Sequence, residues 1–213
     1  MKRLYYFLLT ILRIIKYLLS DAKRYANILI EILKVKPRSV IEVGVYKGKR
    51  SLEIIQAAKI FNDKIEFYGF DLFEMIEDKI IKNELSKKPL SKKQIYRKLS
   101  SYCDVKLYKG YSNKTLPKLK NKKIDFIFID GGHKVSTIKS DWKYCFKFVK
   151  QNTVIIFDDY YLDDKLLIKK YGCNKIVNSI SSKNFTKKLL PMTDSFWHQG
   201  KNLKIKIFYL KSN

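Results

Sequence analysis

Arginine is scarce for a chain this basic. Of 45 Lys and Arg residues in 213, arginine stands only at positions 3, 13, 24, 38, 50 and 97, and with 20 acids the formal net charge is +25. Specific readout of bases or phosphates favours the planar guanidinium fork, whereas the lysines are spread along nearly the whole chain. That argues against a dedicated nucleic-acid footprint, although so large a charge keeps nucleic acid and an anionic membrane in view. Cysteine is also rare: Cys103, Cys145 and Cys173 are odd in number and lack metal-ligand spacing. A disulfide framework and a cysteine-based zinc site are excluded, leaving incidental thiols in a reducing compartment. No small-residue cleavage site follows the first apolar run, so no cleavable signal is expected. That run, Leu4 to Leu19, is interrupted by Arg13 and Lys16. It is too short and too charged for a membrane span. The expected location is cytoplasmic, with peripheral contact at the inner face of a membrane as an extension of it.

Glycine is the third scarcity, with eight residues in all. Around the segment SVIEVGVYKGKRSL, Ser39 to Leu52, there are only Gly44 and Gly48, which excludes the three-glycine dinucleotide fingerprint. A P-loop is excluded too, because three residues separate the glycines and Arg50 divides Lys49 from Ser51. What is there is an apolar run, Val40 to Val43, a glycine turn and a helix-like stretch: a strand leading to a helix N-terminus with exposed N–H groups. The segment reads either as a ligand cradle or as a turn with no ligand. Glu42 is an acid inside the apolar strand and needs a polar partner near the strand's carboxyl end.

The composition is 46% hydrophobic and 14% aromatic, that of one folded domain with a sheet covered on both faces. Polar residues Arg3, Thr10, Arg13, Tyr17, Ser20, Arg24 and Asn27 recur at helical spacing, predicting an amphipathic helix over Leu4 to Leu19. It reads as a helix packed on the sheet, as a homodimer contact, or as an interfacial membrane anchor. The pattern continues from Asp21 to Lys34, and Pro37 ends it. Ile65 to Phe70 predicts the second strand, with Asp71 at its tip, placed either for a ribose or to cap the next helix. Ser91 and Gln94 match a capping box and predict a helix from Lys92 to Leu99, within a segment that reads as a lid or a solvated insertion. Val105 to Tyr108 is a short third strand.

Ile124 to Ile129 predicts a buried strand ending in Asp130-Gly131-Gly132-His133, and Thr153 to Phe157 another, ending in Asp158-Asp159-Tyr160. Parallel neighbours lie about 5 Å apart, so Asp130 can meet the Asp158–Asp159 pair above the sheet. Three carboxylates in one place repel unless a cation or protons neutralise them, and oxygen ligands suit Mg²⁺, Mn²⁺ or Ca²⁺. The alternative is that these acids cap helices and turns. His133 is either structural or a general base for a hydroxyl. Lys187 to Phe196 and Leu203 to Leu210 predict a final hairpin around a turn at 198–202.

Glu42, Gly44 and Gly48 together resemble motif I of the class I S-adenosylmethionine-dependent methyltransferases. FIDGGH, then Asp141, then VIIFDDYY, resemble the O-methyltransferase branch called methyltransferase family 24 and its macrocin-type, sugar-modifying relatives. The resemblance runs from about Ser39 to Tyr161 and implies an α/β, Rossmann-like fold: a seven-stranded, mostly parallel sheet with a terminal antiparallel hairpin. Residues 37–213 would form the catalytic domain, preceded by the amphipathic segment 1–36. S-adenosylmethionine would be held by Glu42, Gly44, Gly48, Ser51, Asp71, Ser112 and Asp130, with Asp71 on the ribose hydroxyls and Ser112 beside the adenine. In metal-dependent relatives, positions matching Asp130, Asp158 and Asp159 hold Mg²⁺. His133 and Asp130 would carry the proton chemistry. Gly132 departs from the pattern, since many relatives have another polar residue there. The implied reaction is methyl transfer to the hydroxyl of a small molecule or glycan precursor. The alternatives are an RNA methyltransferase, or a non-catalytic membrane-associated protein with the same fold.

Overall fold

A computed structural model describes residues 1–162, 167–198 and 201–213, without the side chains of residues 198 and 201. Seven strands form one sheet: β1 Ser39–Val43, β2 Glu66–Asp71, β3 Asp104–Lys109, β4 Phe126–Ile129, β5 Val154–Tyr161, β6 Phe185–His198 and β7 Lys201–Ser212. Among the described residues the helices are α1 Lys2–Leu18, α2 Arg24–Val35, α3 Lys49–Ala58, α4 Asp78–Asn83, α5 Lys92–Leu99, α6 Ser112–Thr115, α7 Val135–Cys145, α8 Leu167–Lys170 and α9 Asn174–Ser179. The strand order is β3-β2-β1-β4-β5-β7-β6. The first five strands are parallel and β7 runs antiparallel between β5 and β6. The order reverses between β1 and β4, which opens a crevice at their carboxyl ends. The expected turn around residues 199 and 200 lies outside the described residues.

Alternation along the strands divides the core. Val40, Phe126, Phe128 and Ile156 pack with α2, α3 and α5 on one face. Ile41, Val43, Ile127, Ile129 and Phe157 pack with α7 and α9 on the other. Because parallel strands are covered on both sides, they read as continuous apolar runs, and that made them legible. The capping box forms as expected: Ser91 Oγ accepts from the Gln94 N–H, and the Gln94 side chain accepts from the Ser91 N–H. The boundary expected after residue 36 falls between α2 and β1, and these two elements share one core through Ile28, Leu29, Ile32 and Val40.

β5 departs from its expected form. It runs past its acids to Tyr161, and its pairing with β7 slips between Phe157 and Tyr160. Asp159 takes a left-handed φ of +60°. A bulge re-aims side chains next to a site. Here it lets two consecutive acids reach two different partners.

α1 is turned over. Its polar residues Thr10 and Tyr17 are buried, while Leu4, Leu8, Leu12, Ile15 and Leu19 are exposed. The Tyr17 hydroxyl donates to both carboxylate oxygens of Glu53 in α3, at 2.9 and 2.8 Å, and Arg50 donates to that same hydroxyl. These polar contacts and the packing of Tyr17 and Ile14 against the core hold the helix down, and the leucine side is left outward.

Candidate active site

Gly44 has φ +92°, and a Cβ there would fall 1.9 Å from the Asp130 carbonyl oxygen. Only glycine allows the β1 turn to lie directly on the β4 tip. Gly48 has φ +65°, and a Cβ on it would meet the Ile95 side chain at 3.0 Å. Its bareness therefore serves packing against α5, where the sequence left open whether backbone or ligand came close.

Gly44, Asp71, Ser112, Asp130, His133, Asp158 and Asp159 line one cavity of about 880 Å³. Glu42, Gly48 and Ser51, expected in contact with the cofactor, stand behind this wall and do not line it. Glu42 is fully buried and accepts a hydrogen bond from the Ser51 hydroxyl, so Ser51 is the polar partner the strand acid required. Among the described residues Glu42 Oε1 has no hydrogen-bond partner. Burial pushes this carboxyl up to about 8, against the pull of Ser51 and Arg50.

An acid whose folded pKa lies above its ordinary 4.5 takes up a proton on folding between the two values. Stability should fall as pH rises from about 4.5 to about 8 and then level off. Glu42→Gln removes that slope. Unfolding free energies of the two proteins from urea titration are expected to diverge above pH 5.5 in favour of the variant, by an amount on the order of a few kcal/mol. Parallel curves would show that Glu42 ionises freely in the folded chain.

At the β2 tip, Asp71 accepts from the Tyr46 N–H at 2.8 Å and the Phe73 N–H at 2.7 Å. Burial raises its pKa, opposed by those backbone donors. The Ser112 hydroxyl donates to Asp141 Oδ1, and Asp141 is pushed up to about 7 by burial, its Oδ2 without a partner among the described residues.

Over the β4 and β5 tips the acids are sorted by their partners. Arg24, the first residue of α2, holds Asp158 in a fork, Nε to Oδ1 at 2.7 Å and one terminal nitrogen to Oδ2 at 2.9 Å. Its other terminal nitrogen and its backbone N–H bind Asp194 of β6. Burial alone would raise Asp158, but the guanidinium outweighs it and the carboxylate lies below its ordinary range. Asp159 Oδ2 sits 3.1 Å from His133 Nε2. His133 Nδ1 lies 2.6 Å from the Glu84 carbonyl oxygen, so Nδ1 carries a proton and Nε2 is the exchangeable position. Burial pulls the His133 pKa down, yet Asp159 and the Glu84 carbonyl raise it overall. Asp130 is pushed well up, by burial first and then by Asp158 and Asp159.

The segment between β2 and β3 forms one wall of the cavity. Ile76, Ile80, Ile81, Leu85 and Pro89 line it. The Glu84 carboxylate accepts from the Lys134 N–H and the Thr137 hydroxyl, both at 2.8 Å. A Cβ at Gly132 would stand 2.7 Å from Glu84 Oε2, which gives that unexpected glycine its reason.

The three-carboxylate set for Mg²⁺ fits poorly, because Arg24 occupies both oxygens of Asp158. Among the described residues the groups that converge are Asp130, His133 and Asp159, whose ligand atoms all lie within 4.8 Å of one another. An imidazole already paired with one of its two carboxylates is not the oxygen cage Mg²⁺ prefers. Arg24, Asp194 and Glu84 were not singled out as site residues in the sequence. Arg24 stood out only as a polar position on the N-terminal helical pattern, and the other two carried no local signal.

The profile of a family described as a methyltransferase domain, family 24, matches residues 41–160. The chain belongs to this family. It is a class I methyltransferase, with S-adenosylmethionine as methyl donor, and the crevice at the strand reversal is where this fold takes its ligand. No curated protein matches the chain. Among solved structures, it is similar to the O-methyltransferase TomG of Streptomyces achromogenes, in complex with S-adenosylmethionine: TM-score 0.61, 11% identity, covering 90% of this chain and 81% of that one. An O-methyltransferase of Bacillus cereus, in complex with S-adenosylhomocysteine, gives TM-score 0.57, 13% identity and coverage of 87% and 79%. A proposed rRNA methylase of Clostridium thermocellum gives TM-score 0.59, 12% identity and coverage of 89% and 97%. At such identities the likeness is one of fold.

Proposed function

We propose that this methyltransferase acts on oxygen, moving the methyl group of S-adenosylmethionine to a hydroxyl of a small molecule or glycan precursor. The observation that carries the reading is His133. Its Nδ1 is fixed by a carbonyl and its Nε2 stands in the cavity wall beside Asp159, so one proton can be exchanged at one defined atom. A hydroxyl is a poor nucleophile until it gives up its proton, and Nε2 would take it. The rest of the catalysis is positioning. Asp71, Gly44 and the Ser112 segment would hold the donor, and the apolar lid residues would exclude water from the acceptor side. Asp130, its carboxyl pushed well above the ordinary range by burial and by Asp158 and Asp159, would hydrogen-bond a bound ligand. No step here runs through a metal ion.

The cofactor assignment is tested by calorimetric titration with S-adenosylmethionine. Wild type should bind, and Asp71→Ala should bind about 10- to 100-fold more weakly, the worth of hydrogen bonds to a charged acceptor. Absence of heat from the wild type would end the reading. The net charge of +25 favours a second reading, methylation of RNA. Turnover on RNA that collapses with added salt, and none on small alcohols, would select it.

A further inference from the structure

The exposed side of α1 is built of large apolar residues at helical spacing. Leu4, Leu8, Leu12 and Leu19 are 62, 53, 63 and 83% exposed, and Ile15 joins them. Positions 4, 8, 12, 15 and 19 fall on one stripe about 25 Å long. The opposite side is anchored by Tyr17 on Glu53 and by Arg3 on Asp63 at 3.0 Å, so the stripe cannot roll inward without breaking those contacts. An apolar surface this continuous marks a docking face.

Charge decides the occupant. Helical spacing puts Lys2 and Lys16 at one border of the stripe, and Lys23 follows its end. A second copy would have to bring two chains of net charge +25 together along this face, whereas anionic headgroups would neutralise it. Among the described residues no helix is long and apolar enough to cross a membrane. An amphipathic helix with a lysine border lies in the interface plane instead.

We propose that α1 docks the protein on a membrane surface rich in anionic lipid, its leucine stripe entering the acyl boundary and its lysines meeting the headgroups. Asp21 and Ala22 directly follow the stripe and line the cavity, so docking brings one wall of the site to the membrane. The inference does not depend on which acceptor is methylated.

The test is flotation of the full chain with vesicles of phosphatidylcholine alone and of phosphatidylcholine mixed with phosphatidylglycerol, at low and high salt. Wild type should float with the anionic vesicles, with partition falling about tenfold in high salt or on neutral vesicles. Leu8→Glu combined with Leu12→Glu should also lose about tenfold while keeping its circular dichroism spectrum, since both side chains face solvent. Wild type remaining at the bottom of the gradient with anionic vesicles would overturn the proposal. So would a sedimentation-detected dimer that ignores vesicles and becomes monomeric in the double variant, which would assign the stripe to a second copy. Titration of the same samples with S-adenosylmethionine separates this question from that of the activity.

Discussion

Replacing Arg24 with alanine should destabilise the fold by about 3–5 kcal/mol, the usual consequence of removing one partner from a buried ion pair. The side chains of Asp158 and Asp194 are 1 and 4% exposed, and Arg24 is the cation that meets both. Without it, two carboxylates lie buried beside Asp130 and Asp159, and the site must take up protons or open. Chemical denaturation checks the size of the loss. A double-mutant cycle checks its cause: Asp158→Asn should cost much less in the Arg24→Ala background than in wild type. Additive costs would mean that Arg24 acts through packing alone. The pH dependence has a definite sign. Asp158 is held below its ordinary 3.8, so its contribution is present above that value and is lost as pH falls through the lower folded pKa.

His133→Gln should lower turnover by about 10²- to 10⁴-fold, the range of general-base catalysis, while leaving S-adenosylmethionine affinity within about threefold. Loss of turnover alone would not separate a proton acceptor from a structural histidine; the pH profile does. Asp159 and the Glu84 carbonyl hold the His133 pKa above 6.5 despite burial, so the wild-type rate should rise with pH through that raised value as Nε2 loses its proton. Asp159→Asn removes the carboxylate, and the rising limb should move to lower pH. A limb that stays in place in Asp159→Asn, or a His133→Gln enzyme with unchanged turnover, would remove His133 from the chemistry.

Local pattern sufficed for the sheet. Val40 to Val43, Ile65 to Phe70 and Ile124 to Ile129 are apolar runs bounded by turn residues or acids, because each strand is buried on both faces. Asp71 and Asp130 stand at the strand tips where the runs end, and the sheet brings those tips to one crevice. Glu42 was recognised as needing a polar partner, since a carboxylate inside an apolar strand is costly wherever it occurs. Its withdrawal behind the cavity wall was not legible. An acid buried beneath a loop and one facing a ligand have the same neighbours in the chain.

The sequence by itself determined the strand–helix alternation and the acids at the strand tips, because these follow from residues a few positions apart, and it implied the seven-stranded topology through its resemblance. The tertiary structure alone decided which acids face one another and which side of α1 faces out. Arg24 reaches Asp158 and Asp194 across 134 and 170 positions, and Tyr17 reaches Glu53 across 36. A helical apolar stripe has the same period whether it points inward or outward. Its direction was set by a few buried polar contacts formed only once the chain had folded.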